Sequence, residues 1–250
     1  NILANIVSMD PTGNTDPKIV KQSIVRLTLH EVGHTLGLNH NFKASHLHDP
    51  VSVHDPLITQ KSGVTASVME YPAVNIAPLG VNQGDYYDVV TGAYDNWAIE
   101  FGYRPNLSEQ ERNQILFRSD EPELIFGNDA DDMRSPGRGI DPRAMTNDLT
   151  NDPITYAVQR IELVNQTFKE LPTKLEAKSW EEFVNAYQTL FRESGRSLQT
   201  VSRFVGGVYV NRSTPDQDSE LRPFEPVSEE VQKRAMQVLN DHAFSPNAFP

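Results

Sequence analysis

The stretch from His30 to His40, HEVGHTLGLNH, constrains this chain more than any other part of it. His30 and His34 are one helical turn apart, so on a helix they leave the same face and can grip one ion. Glu31 sits beside them. Its carboxylate can reach a water at the open position that a catalytic zinc requires, without filling that position itself. Gly37 has no Cβ and accepts the left-handed backbone that ends a helix, and the reversal brings His40 back as a third ligand. Two histidines and a glutamate at this spacing also occur as solvated residues on a helix; the added glycine and third histidine make the pattern specific.

The flanks support a helix here. Asp16-Pro17 fits a helix start, with the aspartate as N-cap and proline at the first position, which predicts a helix over 17–36. Ile24, Leu27, Val32 and Leu36 recur at near-helical spacing beside Val20 and Leu29, so this stripe is expected to bury while the histidines face a cleft.

A second signature follows in Ser67-Val68-Met69-Glu70-Tyr71-Pro72. With the extended histidine motif before it, the sequence resembles the metzincin clan of zinc metalloproteases, in which a methionine in a tight turn lies under the metal. The resemblance implies Zn2+ held by His30, His34 and His40, with Glu31 as general base and Met69 as the apolar floor. Tyr71, two residues after Met69, is similar in spacing to the astacin and serralysin tyrosine that ligates zinc and swings away. A phenol suits that task because it donates a hydrogen bond to a developing oxyanion; the plain alternative is a tyrosine packed before Pro72. Asn41 departs from the acidic residue or proline that follows the third histidine in several metzincin families. The segments His40-Asn41-Phe42-Lys43-Ala44-Ser45, Tyr94 to Tyr103 and Gly206-Gly207-Val208-Tyr209 resemble the Met-zincin domain of large bacterial secreted proteins. That likeness implies a secreted, periplasmic or cell-surface location and a catalytic domain that follows long N-terminal regions.

The expected fold is an α+β metzincin-like catalytic domain, this chain being mostly α-helical with the upstream sheet largely missing. Some sixteen residues precede the zinc helix, and Ile2 to Val7 would make one strand, so the rest of the sheet is assigned to a missing N-terminal part of the parent chain. The lack of an initiator methionine fits a mature product or a fragment. The chain divides near residue 105 into a metzincin catalytic region, 1–105, and a helical C-terminal subdomain, 106–250. Helices are expected over about 85–101, 153–170, 179–204 and 228–241. Ile154, Ala157, Val158, Ile161 and Val164, with Leu163, supply the apolar face of the second of these.

Two further groups of side chains invite a metal reading. His46, His48 and His54, with Asp49 and Asp55, would form a second metal site, although solvated loop histidines are the commoner outcome. Asp129, Asp131 and Asp132 lie in a turn-rich acidic stretch from Asn106 to Asp141. Alternating carboxylates there would suit calcium, but no complete calcium loop is present and a solvated loop is favoured.

Composition narrows the rest. The absence of cysteine excludes disulfides, thiolate ligation and a cysteine nucleophile, and a formal charge of −12 argues against a nucleic-acid surface. No apolar run reaches the ~18 residues of a membrane span. The resemblance implies a peptide or protein substrate as the partner, and charge and hydropathy predict no nucleic acid and no transmembrane segment. The reading that follows is a zinc metallopeptidase, expected to be an endopeptidase. The alternatives are a zinc-retaining binding or scaffold module without proteolysis, and a zinc hydrolase of a non-peptide amide.

Overall fold

The computed structural model describes residues 16–132, 139–174, 179–214, 217 and 221–248. The strand expected over Ile2 to Val7 lies outside them. Helix α1 runs Pro17–Thr35, and the Asp16 carboxylate accepts from Lys18 N at 2.8 Å. Its end has a clear cause. Gly37 sits at φ 85°, Leu38 N donates to Gly33 O at 3.1 Å and Gly37 N to His34 O at 3.0 Å, a Schellman closure that satisfies carbonyls the helix leaves open.

The apolar stripe of α1 behaves opposite to expectation. Val20, Ile24 and Leu27 are 57%, 59% and 53% exposed, and Val32 and Leu36 are also exposed. The helix buries Ile19, Gln22, His30 and Gly33 instead. The reason is polar rather than apolar pairing: Gln22 donates to Asp85 at 2.6 Å and accepts from Tyr86 N at 2.7 Å, while the buried His30 and Gly33 meet the Ser67–Tyr71 turn. Tertiary hydrogen bonds here outweigh the hydrophobic periodicity of the helix.

After α1 the chain passes through short tight turns at Ala44–Leu47 and Ser52–His54, then α2 at Pro56–Ser62, capped by Asp55 through Leu57 N at 2.8 Å. Helix α3, Ala93–Tyr103, starts eight residues later than position 85, where a helix was expected. Residues 85–92 are instead irregular, because their carboxylates serve other segments: Asp85 accepts from the side chains of Gln22 and Thr59, and Asp88 from Val64 N and Thr65 N. A Cβ at Gly92 would also overlap Ala66 O, so the chain runs too close to that segment to coil. Helix α4, Glu109–Phe117, falls within a stretch read as turn-rich. Its start is a capping box in which Ser108 Oγ and the Glu111 carboxylate bond each other's backbone N–H.

The later helices follow their apolar spacing closely: α5 is Pro153–Lys174, α6 is Trp180–Ser202 and α7 is Glu229–Leu239. α5 and α6 lie side by side, and Leu163, Val164, Phe168 and Leu171 from one meet Ala186 and Leu190 from the other. Ile19 of α1 with Val74, Ile76 and Tyr86 joins the same cluster, so residues from both sides of position 105 share one core. A second cluster packs Met145, Ile154, Ala157, Val201, Phe204, Val227 and Ala235. The described sheet is a single antiparallel pair, β1 Val208–Val210 with β2 Phe224–Pro226, in register Val208 to Pro226. The fold is thus mostly helical, as expected. Among the described residues no helix is long and apolar enough to cross a membrane.

Candidate metal centre

His30 and His34 come from the last two turns of α1, and His40 returns after the Gly37 reversal. One ligand nitrogen from each lies within 4.8 Å of the others, and among the described residues no other group of three His, Asp or Glu side chains converges in this way. The ring centroids are 4.7 Å apart for His30 and His34, 4.9 Å for His34 and His40, and 5.3 Å for His30 and His40.

The hydrogen bonds say which nitrogens are available. His30 Nδ1 lies 2.7 Å from Val68 O, His34 Nδ1 3.0 Å from Leu38 O, and His40 Nδ1 2.9 Å from Asp129 Oδ2. A carbonyl or carboxylate oxygen only accepts, so each Nδ1 carries a proton, and Nε2 is the nitrogen left to offer a lone pair to a metal. The Nε2 atoms of His30 and His40 are buried with no hydrogen-bond partner, a costly arrangement unless a cation completes it. Burial also holds the His30 imidazole below its usual pKa range, favouring the neutral form that a metal needs. Three neutral nitrogens with no thiolate or carboxylate among them suit zinc with an open fourth position.

The turn carrying Met69 is built on carboxylates. Asp95 of α3 accepts from Ser67 Oγ at 2.6 Å, Val68 N at 2.9 Å and Gly92 N at 2.8 Å, and Ser67 Oγ accepts from Met69 N at 3.1 Å. Met69 is fully buried and packs against Gly33, where a Cβ would overlap its Sδ. Glu70 points inward: it takes Ser45 N at 3.1 Å and Tyr71 N at 2.8 Å, and burial together with Asp148 pushes it well above the ordinary carboxylate range. Arg26 of α1 donates to Glu70 O, which ties the helix to the turn. Asn41 N donates to Met69 O at 3.2 Å, so the segment after the third histidine lies along the same turn.

Tyr71 is part of this assembly. Its ring lies 4.9 Å from that of His30 and 4.8 Å from that of His40, with the Arg26 guanidinium over it at 5.1 Å. Glu31 is exposed on α1, next in the chain to the buried His30. Phe42 stacks on His40 at 5.3 Å and is fully buried, which supports the third histidine from the other side.

The remaining candidate ligands do not converge. His48 Nε2 bonds Gly63 O at 2.8 Å, His46 faces Asp148 at 3.5 Å, and the two nitrogens of His54 have no described partner. None of the three is a solvated loop residue: His48 and His54 are buried, and the His46 side chain is nearly so. The loop from Asn41 to Ala66 folds inward because it carries Val53 and Val64, which enter a core with Ala73, Leu149 and Tyr156. Asp129, Asp131 and Asp132 likewise take separate partners, His40, Arg212 and Arg203. Sequence spacing could not have shown Asp129, which is 89 positions from His40, nor Asp95, which holds Ser67 Oγ and Val68 N of a distant turn.

The chain matches the family model described as Met-zincin over residues 12–250. No curated protein and no solved structure matches it. That description suggests a zinc metallopeptidase, and the cluster of three histidines is compatible with zinc. The match spans nearly the whole chain: this protein belongs to the Met-zincin family.

Proposed function

We propose that the protein is a zinc-dependent endopeptidase that hydrolyses peptide bonds in peptide or protein substrates. One observation supports this most: three histidines with every Nδ1 engaged and buried, unpartnered Nε2 atoms on His30 and His40, gathered within 4.8 Å beside the methionine turn. Held by His30, His34 and His40, a zinc ion would polarise the scissile carbonyl and bring the pKa of a water at its open position towards ~7. The Glu31 carboxylate takes a proton from the attacking water and later delivers it to the leaving amine. The Tyr71 phenol, beside His30 and His40, donates its O–H to the oxyanion as charge develops there. Val68 O, Leu38 O and Asp129 keep the histidine protons on Nδ1 throughout.

The test is metal content and cleavage of an unbiased peptide library, with and without a chelator. About one zinc per chain and chelator-sensitive cleavage within the peptides is the expected result. Zinc with no cleavage points to a binding module, and loss of an amide from a non-peptide substrate alone points to a different hydrolase.

A further inference from the structure

His30 and His34 receive backbone carbonyls from their own neighbourhood, Val68 O in the methionine turn and Leu38 O just past the helix. His40 stands after the helix has ended and receives a carboxylate from a loop 89 residues away. Both oxygens of Asp129 face its Nδ1, at 2.9 and 3.2 Å. We propose that Asp129 is a positioning residue for the third ligand, and that the Leu124–Asp132 loop is a strut of the metal centre, neither a calcium loop nor free surface. The proposal rests on His40 binding zinc as stated above.

The loop is anchored well enough to act as one. Phe42 N donates to Gly127 O at 2.6 Å, Gly127 N to Asn41 Oδ1 at 3.2 Å, and Asn41 Nδ2 to Ile125 O at 3.0 Å. Asn41 is fully buried and uses both ends of its amide, accepting also from Lys43 N at 3.3 Å. A carboxylate there would lose the donor and face Ile125 O, which explains why an amide follows the third histidine in this chain. At the far end Asp131 takes Arg212 at 2.6 and 2.7 Å and Asn128 N at 3.0 Å. The loop is thus held at both ends, by the segment that carries His40 and by a residue just after β1.

Chemically the strut does two things. It fixes the ring about the Cβ–Cγ bond, which no helix does for His40, and a charged acceptor on Nδ1–H raises the electron density of Nε2. The neutral carbonyls behind His30 and His34 do less of the second. Losing such an outer partner costs about 10–100-fold in metal affinity.

Zinc affinity of the full chain, measured by competition with a chromophoric chelator, tests this, together with the absorption spectrum of the cobalt form. The variants are Asp129→Ala, Asp129→Asn and, as a control for the ligand itself, His40→Ala. Expected are about tenfold or greater weakening in Asp129→Ala, a smaller loss in Asp129→Asn, which keeps an acceptor but not the charge, and an altered cobalt spectrum in both. The metal-free thermal midpoint should move little, since the Asp129 side chain is 64% exposed. Wild-type affinity and spectrum in Asp129→Ala, with binding lost in His40→Ala, overturn the strut and leave the zinc site intact. Weakening matched by an equal loss of metal-free stability also overturns it. No zinc binding by the wild type overturns both readings.

Discussion

Met69 occupies the space that a side chain at Gly33 would need: a Cβ built on Gly33 overlaps Met69 Sδ. The glycine between the two helical histidines is therefore a contact surface. In an ordinary helix Gly→Ala gains about 0.5–1 kcal/mol. Here the overlap falls on a fully buried methionine that has to shift within the core, so Gly33→Ala should lose about 1–3 kcal/mol through overpacking. In a Met69→Ala background the same change should become neutral or stabilising. Chemical denaturation of the four proteins in this cycle decides; a stabilising Gly33→Ala in the wild-type background contradicts the contact.

Glu31 is separable from the ligands by a change that keeps its size. Glu31→Gln retains hydrogen bonding but removes the base, so zinc should remain near one per chain while peptide cleavage falls by at least ~10²-fold. Metal analysis alongside turnover is the measurement. Unchanged cleavage removes Glu31 from the mechanism.

Tyr71→Phe distinguishes a catalytic phenol from a packed ring. The ring contacts with His30 and His40 survive the change, so stability should hold. An oxyanion bond made only in the transition state predicts that kcat and kcat/KM fall together with KM nearly constant. An unchanged kcat leaves the ring as packing only.

His54 sets a pH dependence away from the metal. Burial, with Arg160 nearby, lowers its pKa from 6.5 to about 4, so the folded state holds it neutral. Its contribution to stability is present above pH ~6.5 and is lost as pH falls through that value towards 4. Asp88 opposes this: burial raises its pKa to about 6, and its contribution is present below pH ~4 and lost as pH rises through 6. His54→Leu removes only the first. Because neither His54 nitrogen has a described partner, the variant should be as stable as the wild type at pH 7 or more so, and more stable than it at pH 4 by on the order of 2 kcal/mol. Equal pH profiles for the two proteins contradict the assignment.

Short-range order was legible. Asp16-Pro17 and Gly37 mark both ends of α1 to within a residue, since capping involves groups within a few positions of one another. The capping box of Ser108 and Glu111 is just as local, yet the acidic stretch around it was read only as turns. That the three histidines meet was legible from spacing, because a helix and one reversal dictate where they lie.

What the tertiary structure decided is which face of each element has a partner. The Val20, Ile24 and Leu27 stripe reads as core by periodicity, yet α1 turns it outward, because Gln22, His30 and Gly33 find matched groups in Asp85, Val68 and Met69. The loop histidines read as solvated and are drawn inward beside a small apolar core. Asp129 reads as one of three surface carboxylates and stands behind His40. Sequence alone determined that the three histidines of the candidate metal centre come together, since they are held by one helix and one glycine. Its support depended on the whole fold, because hydrogen bonds across 27 to 89 positions carry no local signature.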